Sequence, residues 1–494
     1  MTKEIPFAVA IIPVLVLIAL MGSAVWLFGD ASAAGPAQIV LLVAAAAANI
    51  IGLSYGMKWS ELEEAVVKSV SRAIPASLIL LAVGALIGSW MLSGTAPAMI
   101  YYGLALISPQ WFYPAALIIC AIVSVSIGSS WTTAGTVGLA LVGAADIMGL
   151  SPEITAGAVI GGAYFGDKLS PLSDSTNLAA AVVGVDLFRH VRHMLTTTIP
   201  SLVIAMIIFS GFSLTRGADA APIDAIAQTR ATLAAAYDLG FVTMIPLAAV
   251  FVLAIRRFPP YPTIAVGALL GGLVAVIAQP DIVRGFADPT NALPLAAALL
   301  KGVWQALAAG FQSDLGVPEL DRLLTRGGMA SMMTIIWMVI AALSFGAAME
   351  ATGLLARLTA PLVRHIKGVG TLVAATVVSA VTMNIVSATQ YMAIIIPGRM
   401  FAKEYAERGL APVNLSRTVE DAGTMTSALV PWMTCGVFMA GALGVATLDY
   451  LPFAFMNMLN PLLAVLYGFF RIAIVYDEKP APVGAGIVQA SNAA

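Results

Sequence analysis

The chain reads as an all-α polytopic membrane protein, an inverted-topology repeat with two re-entrant hairpins and two broken transmembrane helices. Three observations predict this: the scarcity of charge, its spacing, and one order of features that recurs in both halves. Only 10% of the 494 residues are charged and 60% are hydrophobic, with a mean hydropathy of +0.95. Soluble domains carry roughly 25% charge, and a water-soluble fold could not hide this much apolar surface. A soluble enzyme is excluded. The formal net charge of -2 offers no footprint for nucleic acid. Cys120 and Cys435 lie far apart in apolar runs, which leaves no disulfide framework or thiolate metal cluster.

Charge-free stretches run over 5–29, 31–57, 73–145, 193–215, 239–255, 258–280, 327–349, 368–398, 422–448 and 450–470. A crossing helix needs about 20 apolar residues, so nearly every stretch is one span, and 73–145 and 368–398 hold more. The first run is too long for a signal-peptide core and is retained as a span. The expected organisation is an N-terminal transmembrane hairpin with a cytoplasmic amphipathic segment (1–72), then a first repeat (73–192). Connecting helices and loops follow (193–326, with a loop over 216–237), then a second repeat (327–448), a C-terminal transmembrane helix (449–476) and a disordered tail (477–494). Basic residues mark cytoplasmic loops. With the amino terminus on the cytoplasmic side of the cytoplasmic (inner) membrane, Lys3, Lys58, Lys68, Arg72, Arg189, Arg192, Arg256, Arg257, Arg357, Arg364, Lys367, Arg399, Lys403, Arg408, Arg471 and Lys479 fall on the inner face. Ten crossings and two hairpins satisfy this threading.

Within it, 154–186 is one net crossing, yet its middle reads GDKLSPLSDST. Such a run cannot be a continuous lipid-facing helix, so the span is broken. The run GSSWTT at 128–133 marks the polar tip of a hairpin over 111–148. Shifting the chain by about 255 places Ser129 on Asn384 and Thr132 on Ser387; shifting by about 254 places Asp167 on Asp421, Ser170 on Thr424 and Ser173 on Ser427. In both halves a plain span precedes a hairpin-like run and then a broken span. The basic residues start these units on opposite faces, the pattern that puts a transporter's binding site at the repeat interface near the bilayer midplane.

An ionised side chain at membrane depth costs several kcal/mol and is a functional candidate. Asp167, Lys168, Asp174, Glu350, Arg417, Glu420 and Asp421 qualify. Lys168 is expected to neutralise Asp167 or Asp174, Arg417 to pair with Glu420 at i, i+3, and Glu350 to sit structurally at a span end. Asp167, Asp174 and Asp421 are the candidates for a shared proton and sodium site, because the hydroxyls of 167–177 and freed backbone carbonyls are the oxygen ligands hard cations take. The hairpin tips add Ser129, Ser130, Thr132 and Thr133 in one half, and Asn384, Ser387, Thr389 and Gln390 in the other. His190, His193 and His365 lie beside basic clusters and read as interfacial; Trp26, Trp59, Tyr101, Tyr102, Trp111 and Tyr450 read as an aromatic belt. No GxxxxGK[ST], HExxH or GxSxG occurs. Transport would therefore run on an ion gradient rather than nucleotide hydrolysis, and no enzyme is expected.

The strings GSSWTTAGTVG (128–138), GAYFGDKLSPLSDSTNLA (162–179) and LSRTVEDAGTMTSALVPWMTCG (415–436) resemble the NhaC-type sodium/proton antiporters of the ion-transporter group. So do IGSWMLSGTAPAMIYYG (87–103), QYMAIIIPGRMF (390–401) and LGVATLDYLPFAFMN (443–457), and the likeness covers about 73–475. It implies inverted repeats, transported Na+ and H+ without a cofactor, and ion handling at Asp167, Ser170, Ser173, Asp174, Thr176, Asn177, Glu420, Asp421, Thr424 and Ser427. Ser175 stands where many relatives have Thr, which keeps the hydroxyl. The expected function is secondary antiport of sodium against protons. The same family includes exchangers of organic anions such as malate and lactate, so a sodium- or proton-coupled antiporter of small organic anions or amino acids is the alternative, with Lys168, Arg417 or half-helix amino termini holding the carboxylate. Inverted broken spans favour a transporter over a passive channel. The expected partners are the transported ions and the lipid bilayer, with a homo-oligomer left open.

Overall fold

A computed structural model describes residues 5–29, 32, 35–71, 73–216, 223–364, 366–387 and 389–477. The expectations for Lys3, Arg72, His365, Lys479 and the tail from 478 fall outside the described residues. Among the described residues the backbone is helical almost throughout, and the only bridges are Phe311 with Arg326 and Leu410 with Tyr476. Eight helices are long and apolar enough to cross a membrane, or up to 11 if each bent pair is one span. That is a polytopic membrane protein. Large apolar side chains such as Trp26, Leu106 and Phe241 stand on its surface, where lipid, not water, is the solvent.

The chain opens with α1 (Ile12–Phe28) and α2 (Pro36–Ser54), which pack on each other, then α3 (Trp59–Ser71), which buries only Leu62. Next come α4 (Ile74–Leu92), α5 (Thr95–Leu106) and α6 (Phe112–Ile127). A turn at Ser130–Thr133 and a π-helical segment at Ala134–Gly138 lead into α7 (Leu139–Ile147), followed by α8 (Pro152–Leu169) and α9 (Asp174–Val183). The connecting helices are α10 (Leu187–Arg216), α11 (Ile223–Ala236), α12 (Ile245–Ile255), α13 (Pro260–Ala278), α14 (Pro280–Ala287), α15 (Leu295–Ala309) and α16 (Pro318–Leu324). The second half has α17 (Met333–Ala351), α18 (Leu354–Arg364), α19 (Val369–Ser387), α20 (Gln390–Glu407), α21 (Pro412–Gly423) and α22 (Thr434–Leu443), and α23 (Phe455–Phe470) closes the fold.

The connecting region departs from expectation in two places. The expected loop at 216–237 is helical over Ile223–Ala236, because its alanine-rich run has high helix propensity. The stretch 239–255 is not a span by itself: α12 rises only about 16 Å, and the helix of which it is part meets the preceding one at 97°.

Contacts fix how the chain runs over 112–169. At one end Ser151 N donates to Tyr113 Oη at 3.0 Å, and at the other Ser124 Oγ donates to Ala163 O at 2.5 Å. Helices α6 and α8 therefore run parallel, and the segment between them returns to the face where α6 began. Gly166 allows the approach, since a Cβ there would strike the backbone of Ser124 and Val125. At the tip, Gly128 turns the chain at φ +77°, and a Cβ there would lie 2.6 Å from Leu172 in the break after α8.

Each half places a proline at its second discontinuity, Pro171 between α8 and α9 and Pro431 between α21 and α22. Proline lacks the amide a helix interior needs and clashes with the preceding turn. Helices α4 to α9 and α17 to α22 follow one order, with the prolines 260 residues apart. At that offset Asp167 falls on Ser427, whereas the offset of about 254 puts it on Asp421.

Candidate functional site

A cavity of about 1550 Å³ enters between the halves. Its lining includes the exposed Arg257, Glu350 and Arg399, and it reaches both tips and the first break. There Asp167, only 8% exposed, contributes to its wall. The carboxylate is held on both sides: Ser130 Oγ from the first tip donates to Oδ2 at 2.6 Å, and Ser173 Oγ from the break donates to Oδ1 at 2.6 Å. These are short, charge-assisted geometries. No cation pairs with Asp167 among the described residues. Asp174 also lines the cavity, at the amino terminus of α9, where the helix dipole favours negative charge.

Other predicted ligands are engaged with backbone. Thr176 Oγ1 lies 3.0 Å from Asp167 O and 2.9 Å from Lys168 O, two carbonyls at the open end of α8. Asn177 Nδ2 donates to Pro171 O and Ser173 O at 2.9 and 2.7 Å, and Ser170 Oγ accepts from Leu172 N at 3.3 Å. Ser170, Thr176 and Asn177 shape the break. At the first tip, Ser129 caps its turn by accepting from Thr132 N, and Thr133 Oγ1 donates to Ser129 O. Of those four hydroxyls only that of Ser130 reaches Asp167. At the second tip, Asn384 Nδ2 donates to Gly423 O and Thr426 Oγ1, and Ser387 Oγ to Met383 O, while Thr389 and Gln390 line the cavity.

The second cluster is sealed. Lys168, fully buried, forms an ion pair with Asp421 and donates to Asn460 Oδ1 at 2.6 Å. Thr197 Oγ1 donates to Asp421 Oδ1 at 3.0 Å, and Arg417 Nε stands 3.7 Å from Oδ2. Both charge-pair expectations are corrected. Lys168 reaches neither Asp167 nor Asp174, because successive helical side chains point about 100° apart, so Asp167 turns to the tip and Lys168 to α21. Arg417 pairs with Asp421 at i, i+4, not with Glu420. Glu420, also fully buried, accepts from Ser175 Oγ and Thr424 Oγ1, each at 2.9 Å. Ser427 Oγ donates within its own turn to Thr424 O at 2.7 Å and lies 3.1 Å from Tyr164 Oη.

Two belt or interface assignments are corrected. His190 is fully buried, its Nδ1 2.9 Å from Ser416 Oγ. Tyr450, also buried, donates to Ala428 O at 2.6 Å and braces the second break. Thr197 and Asn460 were missed. Both are polar residues inside apolar spans, a signal the sequence carried.

Buried charge beside two proline-broken helices, with a cavity ending on an unpaired carboxylate, is the construction of a secondary transporter. The chain belongs to the Na+/H+ antiporter family, whose model matches residues 162–472. It is 40% identical over 446 residues to the Na(+)/H(+) antiporter NhaC of Alkalihalophilus pseudofirmus, covering 90% of this chain and 91% of that protein. It is 36% identical to the malate-2H(+)/Na(+)-lactate antiporter of Bacillus subtilis (90% and 91% covered). It is also 36% identical to the arginine/ornithine antiporter ArcD of Halobacterium salinarum (94% and 92% covered). These relatives are antiporters, and sodium/proton exchange is the activity of the family the motifs pointed to.

Proposed function

We propose that this protein exchanges sodium for protons across the cytoplasmic membrane, and that the two ions compete for the carboxylate of Asp167. The observation that carries this reading is the position of Asp167 on the cavity wall, held by two hydroxyls and with no cation partner among the described residues. A proton or a sodium ion can each complete its charge, and both cannot at once. Ser130 and Ser173 supply further oxygens of the kind a hard cation takes, and Asp174 draws cations toward them. Asp421, held by Lys168 and Arg417, is a fixed charge that braces α8 against α21.

The halves act as opposed units, 73–192 and 327–448, with 128–133 as one re-entrant tip and Ser387, Thr389 and Gln390 on the other. Supporting this, Tyr164, Lys168 and Ser175 meet Ser427, Asp421 and Glu420 in falling order, so the broken helices cross antiparallel. With the amino terminus in the cytoplasm, the exposed Arg257, Arg399 and Glu350 put the cavity mouth inside. The cavity is larger than a sodium ion needs, and Arg257 and Arg399 in its wall favour, as second reading, a small organic anion or amino acid as cargo.

The test is proton flux in proteoliposomes, reported by a pH dye, with sodium, potassium and organic acids added in turn. Sodium alone should collapse an imposed pH gradient, and Asp167→Asn should remove that response while the protein stays folded. Flux only after an organic acid is supplied would make the second reading the right one.

A further inference from the structure

We infer that Glu420 is a second proton-carrying carboxylate, joined to Asp167 through Ser173 and Ser175, so that one sodium exchanges for two protons. The inference rests on the reading of Asp167 given above and deepens it. Ser173 Oγ lies 2.6 Å from Asp167 Oδ1 and 3.1 Å from Ser175 Oγ, which lies 2.9 Å from Glu420 Oε1. The series is unbroken, and every member is buried. Glu420 Oε2 has no hydrogen-bond partner among the described residues, and both cations of the inner cluster, Lys168 and Arg417, are engaged with Asp421. A buried carboxylate with a bare oxygen and no cation needs a compensating positive charge in order to ionise. Sodium arriving at Asp167 supplies it.

The transfer balances. With Glu420 protonated and Asp167 ionised, the Glu420 proton passes to Ser175 Oγ, the Ser175 hydroxyl proton to Ser173 Oγ, and the Ser173 hydroxyl proton to Asp167 Oδ1. Each serine loses one O–H bond and forms one, leaving Glu420 ionised and Asp167 protonated. Asp167 then releases that proton to the cavity and accepts sodium. Ser175, which also lines the cavity, is the member of this series that touches Glu420.

The experiment is the null point of sodium-driven proton flux in proteoliposomes, the pH gradient at which net flux vanishes, measured with the membrane voltage clamped at zero and then at a set value. Two protons per sodium predicts that a tenfold sodium gradient is balanced at zero voltage by about 0.5 pH unit, and that voltage moves the balance. Glu420→Gln should move the balance to about one pH unit and remove its voltage dependence. Ser175→Ala should do the same, while Ser175→Thr, which keeps the hydroxyl, should behave as wild type. A null point does not depend on the amount of active protein, so partial misfolding leaves it unmoved. If Glu420→Gln fails to fold, the Ser175 pair decides. A one-to-one balance in the wild type, or a two-proton balance that survives Ser175→Ala, overturns this inference and leaves the role of Asp167 standing. Sodium-driven proton flux in Asp167→Asn overturns that role instead.

Discussion

The two broken helices share an architecture and divide the labour. In the first, the carboxylate sits at the discontinuity: Asp167 is four residues before Pro171 and faces the cavity. In the second, the position four residues before Pro431 is Ser427, an uncharged hydroxyl that meets Thr424 O, Tyr164 Oη and Gln390 Oε1, while the acids Glu420 and Asp421 lie further back in the unbroken part of α21, sealed from the cavity. One break exposes a negative charge and the other locks one in place. Two breaks of similar build thus hold their acids differently, and what sets them apart is where each acid lies relative to its break.

The sharpest way to break this comparison is to mutate the matched positions. Asp167→Asn should abolish sodium-driven proton flux, whereas Ser427→Ala, which removes the hydroxyl's contacts with Thr424 O, Tyr164 Oη and Gln390 Oε1 at about 1 kcal/mol net per hydrogen bond, should keep most of it. Equal losses in vesicle assays would put the two breaks on the same footing. Next in size, Lys168→Met leaves Asp421 buried without its closest cation and should cost about 3–5 kcal/mol, read as a lowered unfolding temperature in detergent. Adding Asp421→Asn should recover part of that loss, and no recovery would show that the pair is not the brace. Packing distinguishes the halves too: Gly166→Ala forces α6 away from α8 and should cost about 1–3 kcal/mol in the same assay. Thr197→Val should cost about 1 kcal/mol by removing one donor to Asp421. At the bottom of the scale, Glu407→Gln breaks only the exposed pair with Lys403 (3.5 Å) and should change stability by less than about 0.5 kcal/mol.

Much of this was legible in the sequence because the bilayer makes charge conspicuous. GDKLSPLSDST announced a break, and proline with hydroxyls inside an apolar run allows little else. Asp167 stood out for the same reason. What the sequence could not show was direction. Asp167 and Lys168 are neighbours in the chain, and only the packing of α8 between the first tip and α21 sends one to the cavity and the other to Asp421. Two offsets compete, about 254 from the hydroxyls and 260 from the prolines, because serine and threonine recur throughout apolar helices. Thr197 and Asn460 escaped notice because a single uncharged polar residue in a span is common; their meaning comes from the ion pair they border. The helix over 223–236 was hidden by charges that suggested a loop, although its alanines favoured helix.

The central claim is that sodium and a proton compete at Asp167, and the most direct measurement is proton release on sodium binding to the purified, weakly buffered protein in detergent. The account predicts that sodium releases protons from the wild type, that potassium does not, and that Asp167→Asn releases none. Undiminished, sodium-specific proton release from Asp167→Asn would contradict it.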